Sequence, residues 1–132
     1  MNPDDFAAAA QSLLGAPFRL GGRDPAGGLD CVGLVACALG AAEAPQGYGL
    51  RNSTVVRHLA HATRAGFARA CGPIRRGDVL LVEAGPAQHH LLVALAADRF
   101  VHAHAGLRRV AIHHGPLDWP LVAHWRLPHK GM

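Results

Sequence analysis

At Gly72-Pro73 the texture of the sequence changes, and that change limits the fold more than any other feature. Before it, apolar residues recur at helical spacing behind capping residues; after it come short apolar runs cut by Gly, Pro and Asp. Pro3 to Leu14 reads as a helix, with Asn2 able to cap it, Pro3 at its first position and Asp4 and Asp5 in its first turn. Gly15-Ala16-Pro17 ends it, and the Gly- and Pro-rich stretch from Phe18 to Leu29 reads as loop. Asp30 then caps a second helix from Cys31 to about Ala42, and Asn52 or Ser53 caps a third that runs to about Ala65. The segment between them, 44–50, reads as irregular. Beyond the switch, Asp78–Glu83, His90–Leu95, Arg99–Ala103, Arg108–Ile112 and Leu121–Leu127 read as short strands. Helices first and strands second, without βαβ alternation, predict an α+β domain: N-terminal helices packed on a C-terminal antiparallel sheet of about five strands. The 132 residues suit one domain, 1–132, with no repeat or linker.

Half of the residues are hydrophobic, so a core can form without disulfides or a structural metal. The formal charge is +4, but the arginines are scattered and a single tyrosine accompanies them. That pattern argues against nucleic-acid binding and equally suits an anionic polymer. The three cysteines, Cys31, Cys37 and Cys71, are odd in number and lack metal-type spacing, which points to a reduced compartment. The N-terminus has neither a basic region nor a long apolar stretch, so neither a signal peptide nor a membrane span is expected, and synthesis is expected in the cytoplasm.

Cys31 is the candidate nucleophile. It follows a Gly-rich loop and begins a helix, where unpaired N–H groups and a partial positive charge favour a thiolate and can receive an oxyanion. Asp30 works against the thiolate, and its first duty is capping. Gly33, one turn in, permits close approach of another backbone or a substrate. Most cysteines are small buried hydrophobes, and Cys37 is read that way; Cys71, in a coil before Gly72-Pro73, has no chemical context and is read as structural.

Ten histidines are too many to be functional together. His58, His61, His113, His114 and His129 read as surface or capping residues. His90 and His102 stand on two strands of an expected hairpin, where register decides whether they meet. An odd connection, such as Ala96-Ala97-Asp98, puts positions 90, 92, 102 and 104 on one face; a two-residue turn puts His90 and His102 on opposite faces. In the first case His90 can take a proton from Cys31 while His102, or its competitor His104, orients the ring. His89 then points the other way. A zinc site is the weaker alternative, because no carboxylate or cysteine stands at ligand spacing on those strands.

Three segments in order resemble the NlpC-type family of cell-wall peptidases. The run Gly15-Ala16-Pro17-Phe18-Arg19-Leu20-Gly21-Gly22, followed by Leu29-Asp30-Cys31-Val32-Gly33-Leu34-Val35, is similar to the family's nucleophile region. Arg76-Gly77-Asp78-Val79-Leu80 is similar to its strand entrance, and His90 to Leu95 with Arg99 to Ala103 to its histidine hairpin. The resemblance implies a papain-like fold and a Cys31–His90–His102 triad, with no metal or organic cofactor. It implies cleavage of peptide or amide bonds in peptidoglycan stem peptides, with Asp30 holding a substrate amine. Val32 replaces the family's usual Ser and Phe18 its usual Tyr; both are substrate-binding positions, so the departures bear on substrate choice. A chain without a signal peptide also fits members carried by phage-like tails, whose proteins would be its partners in opening the wall. Acyl transfer on the same scaffold, or a non-catalytic structural or wall-binding module of such a tail, are the competing readings.

Overall fold

The computed structural model describes residues 1–40, 66–86 and 88–128. The expected third helix, the irregular segment before it, His58, His61 and His129 lie outside the described residues. Helix α1, Pro3–Gln11, starts as its sequence dictates: the Asn2 side chain accepts from the Asp5 N–H at 2.8 Å, a cap of about 1 kcal/mol. It ends a turn earlier than expected, at Gln11. The glycine-rich loop contains two short strands, β1 (Arg23–Asp24) and β2 (Gly28–Leu29), paired with each other. Helix α2, Cys31–Leu39, is capped by Asp30, and Gly40 closes it in the left-handed conformation at φ 73°, short of the expected Ala42.

The remaining strands form one antiparallel sheet. They are β3 (Ala68–Arg69), β4 (Val79–Gly85), β5 (Gln88–Ala96), β6 (Arg99–His104), β7 (Arg109–His114) and β8 (Leu121–Arg126), in the order β3-β8-β4-β5-β6-β7. Among the described residues the sheet has six strands rather than five, because the two-residue β3 pairs with β8. The α+β architecture is as expected.

Both faces of the central strands are covered, which is why Val79–Val82 and Leu91–Leu95 are continuous apolar runs rather than alternating ones. On one face Val79, Leu81, Leu91 and Val93 pack with Phe6, Ala10, Cys31 and Val32 of the two helices. On the other, Leu80, Val82, Leu92, Ala94 and Phe100 pack under Ile74, Leu117 and Trp119. Cys31 thus enters the structure as part of the layer joining α2 to the sheet.

Candidate active site

Asp30 builds the start of α2. Its Oδ1 accepts from the Gly33 N–H at 2.8 Å and from Arg23 Nη1 at 2.9 Å, and its Oδ2 accepts from the Gly21 N–H at 2.7 Å. One buried carboxylate therefore binds the glycine loop to the helix that carries Cys31. Gly33 is needed for the same junction: a Cβ there would collide with the Gly22 carbonyl oxygen. The close approach foreseen for Gly33 is made by backbone. Asp30 is 0 % exposed, and both of its oxygens are engaged inside the chain, so its carboxylate acts as cap and strut. Val32 is likewise buried in the helix–sheet layer. Phe18 differs. Its N–H donates to the Arg108 carbonyl at 2.9 Å, its segment is strapped between β2 and β7, and its ring lines a pocket with Cys31 and His90.

The hairpin meets the register condition in an unforeseen way. Only Ala97 and Asp98 connect β5 to β6, the turn length that separates His90 from His102 in a regular hairpin. A bulge between Ala94 and Ala96 adds one residue, leaving Val93 opposite Val101 and Ala94 opposite Phe100. Even-numbered positions then share a face, and His90 Nε2 lies 2.9 Å from His102 Nδ1. His104 does not take that place: its Nδ1 accepts from the Leu107 N–H at 3.0 Å. His113 contacts Asp118 and the Pro116 carbonyl beside a turn, in keeping with a capping role. Among the described residues no cluster of His, Cys, Asp or Glu could hold a metal ion.

With Nε2 of His90 committed to His102, Nδ1 is the ring nitrogen left for Cys31. The two residues line one pocket of about 230 Å³ with Phe18, Ala103 and Ala105, but no hydrogen bond joins the sulfur to the ring. Unliganded sites commonly hold such pairs loosely. Burial, then the Asp30 carboxylate, pushes the Cys31 thiol up to about 12, against the pull of the Leu91, Val32 and Cys31 N–H groups. The helix start alone would favour the thiolate, so the expected thiolate bias is overturned by burial. Burial, then neighbouring His104, pushes His90 down to about 4; burial, then His90, His104 and His113, pushes His102 to about 3. The resting pair is a neutral thiol beside a neutral imidazole. Limited iodoacetamide at neutral pH is therefore expected to label exposed Cys71 before Cys31, with Cys31 labelling accelerating as pH rises. Peptide mass mapping reads the order, and preferential labelling of Cys31 would show a thiolate in the free protein.

Trp119 escapes a sequence reading. It stands in the β7–β8 connection, with its ring centroid 6.2 Å from that of His90 and 5.2 Å from that of His113. A tryptophan followed by Pro120 in a turn between strands was the available signal, since a large aromatic there needs a surface to cover.

A cysteine at a helix start and a histidine pair on the neighbouring sheet, within a papain-like α+β fold, is an arrangement suited to thiol chemistry. Comparison with known proteins gives the family. The NlpC/P60 family model matches residues 15–124, and the chain belongs to the NlpC/P60 family. NlpC2 from Trichomonas vaginalis is similar over 98 % of this chain and 48 % of its own, with TM-score 0.66 and 17 % identity. NlpC1 of the same organism is similar over 96 % and 44 %, with TM-score 0.67 and 18 % identity, so this chain spans under half the length of either. The NlpC/p60 domain of the peptidoglycan hydrolase SagA matches over 86 % and 90 %, with TM-score 0.59 and 22 % identity. At these identities the likeness is one of fold. No curated protein sequence matches the chain.

Proposed function

We propose that the chain is a cysteine peptidase that hydrolyses amide bonds in peptidoglycan stem peptides. The observation that carries this reading is the 2.9 Å contact from His90 Nε2 to His102 Nδ1, made by a histidine that lines the Cys31 pocket. In the working tautomer His90 donates its Nε2–H to His102 and keeps a bare Nδ1. As the Cys31 sulfur attacks the substrate carbonyl, Nδ1 takes the thiol proton and then returns it to the departing amine. The Cys31 and Val32 N–H groups face the sulfur, where they can receive the oxyanion; those of Gly33 and Leu34 are already spent on Asp30. Water, with the same histidine as base, releases the acid from the thioester. Because both groups rest neutral, proton transfer accompanies attack instead of preceding it.

The reading is tested by incubating the native chain with purified peptidoglycan and soluble stem peptides and weighing the products. Fragments heavier than the severed pieces by one water per cleaved amide are expected. An acyl fragment joined to an added amine in place of water would mean acyl transfer, and binding without any product would overturn the enzyme reading in favour of a wall-binding module.

A further inference from the structure

Two loops meet at the rim of the Cys31 groove and carry the most exposed large apolar side chains among the described residues. Pro17 pairs with Arg109 in an antiparallel bridge, and the Phe18 N–H donates to the Arg108 carbonyl at 2.9 Å. Residues 19–20 and 107–108 therefore leave that bridge at the same end. Phe18 lines the Cys31 pocket, and Gly106 lines its continuation past His90. At this tip Leu20 is 55 % exposed and Leu107 is 49 % exposed. Beside them in the chain stand Arg19, Arg108 and Arg109, all exposed and none paired with a carboxylate among the described residues. By contrast Arg23, Arg76 and Arg126 are each tied to one, on Asp30, Asp4 and Asp78. Arg108 is also the one non-glycine residue at positive φ among those described, at 59°. It ends the turn 105–108 between β6 and β7, where glycine or asparagine is the usual choice. The chain keeps a guanidinium where glycine would relieve the backbone.

We propose that this tip docks on an anionic lipid bilayer, with Leu20 and Leu107 entering the headgroup boundary and Arg19, Arg108 and Arg109 meeting lipid phosphates. A soluble polyanion would account for the arginines alone. The leucines favour a bilayer, because there each apolar side chain leaves water next to a charge that the surface attracts. Guanidinium groups suit the role, since their planar forks take phosphate oxygens in pairs. The proposal goes beyond the peptidase reading and does not depend on it: a Cys31→Ala chain docks equally well. Docking by this tip holds the rim of the groove at the bilayer surface.

The test is sedimentation of the full chain with vesicles of phosphatidylcholine, alone or with one third phosphatidylglycerol. Partition onto the anionic vesicles is expected to be stronger by about tenfold or more, and to weaken as salt is raised. Arg19→Gln/Arg108→Gly/Arg109→Gln is expected to lose most of that preference, the glycine being at ease in the left-handed conformation. Arg69→Gln/Arg75→Gln/Arg99→Gln removes the same formal charge from exposed arginines away from the tip and is expected to keep the preference. Leu20→Ser/Leu107→Ser is expected to weaken binding by about tenfold while leaving its salt dependence. Circular dichroism checks that each variant is folded. Leu20→Trp gives a reading that needs no charge variant: its emission is expected to shift to the blue on anionic vesicles and to stay put on neutral ones. Equal partition onto the two vesicles, an equal loss in both arginine variants, or an unshifted Leu20→Trp would each overturn the proposal. Retention on peptidoglycan sacculi through the same arginines, without vesicle binding, would overturn it in favour of a wall polymer.

Discussion

Cys31→Ala is expected to lower kcat for stem-peptide hydrolysis by about 10⁴-fold or more, and His90→Ala to fall within about tenfold of it. The two act as a unit. With the thiol pushed up to about 12, an unassisted sulfur is almost wholly protonated at neutral pH, so removing the base strands the nucleophile. The double variant is therefore expected to be little worse than either single one. His102→Ala leaves His90 Nε2 without its acceptor and frees the ring to take the wrong tautomer; His102→Asn, which retains an acceptor, is expected to recover part of the loss. The pH profile carries the same logic. His90 must be neutral to act, and its pKa near 4 places the acidic fall of kcat/KM well below an ordinary histidine's, with a plateau through neutrality. A bell centred on neutrality would instead mark a preformed thiolate–imidazolium pair. More than about a tenth of native activity in a folded Cys31→Ala chain, shown by circular dichroism, would end the proposed mechanism.

What could be read from the sequence was whatever local chemistry decides. Asn2 and Asp30 announce their helices because a cap is a contact three residues long, and the five longer strands announce themselves through apolar runs bounded by turn residues. β1, β2 and β3 were invisible because two residues have no period. The histidine pairing was legible only as a condition, since a bulge in Leu95's stretch of β5, not the turn, restores the shared face. The choice between His102 and His104 turned on the Leu107 N–H, which becomes available only once the β6–β7 turn has formed. Burial was the least legible quantity of all. Asp30, Cys31 and Val32 are all buried, because the close approach of Gly22 to Gly33 and of the sheet to α2 encloses the start of the helix.

The largest stability loss is expected away from the pocket, at Asp78→Ala. Asp78 is fully buried at the entrance to β4, and four hydrogen bonds end on it. Its Oδ2 accepts from the Arg75 N–H at 2.8 Å, His124 Nε2 at 2.6 Å and Arg126 Nη2 at 2.8 Å, and its Oδ1 accepts from Arg126 Nε at 2.7 Å. These partners come from the 73–78 turn and from β8, so one carboxylate fixes the β8–β4 pairing at the centre of the sheet. Removing it leaves buried His124 and half-buried Arg126 without their acceptor, a loss of about 3–5 kcal/mol by analogy with other broken buried pairs. Asp78→Asn keeps the shape and an acceptor oxygen but loses the charge, and is expected to fall between the two. Burial raises the carboxyl pKa, but the bonds from Arg126, Arg75 and His124 outweigh it and hold it below the usual carboxylate value. The stability this contributes is fully present above the unfolded carboxyl pKa, about 3.9, and is lost as pH falls through the lower folded value. Urea unfolding of the native chain and both variants at neutral pH and below pH 4 checks the sign, because the gap between native and Asp78→Ala should narrow in acid. A gap unchanged across that range would mean that Asp78 stabilises the sheet by packing and not by its charge.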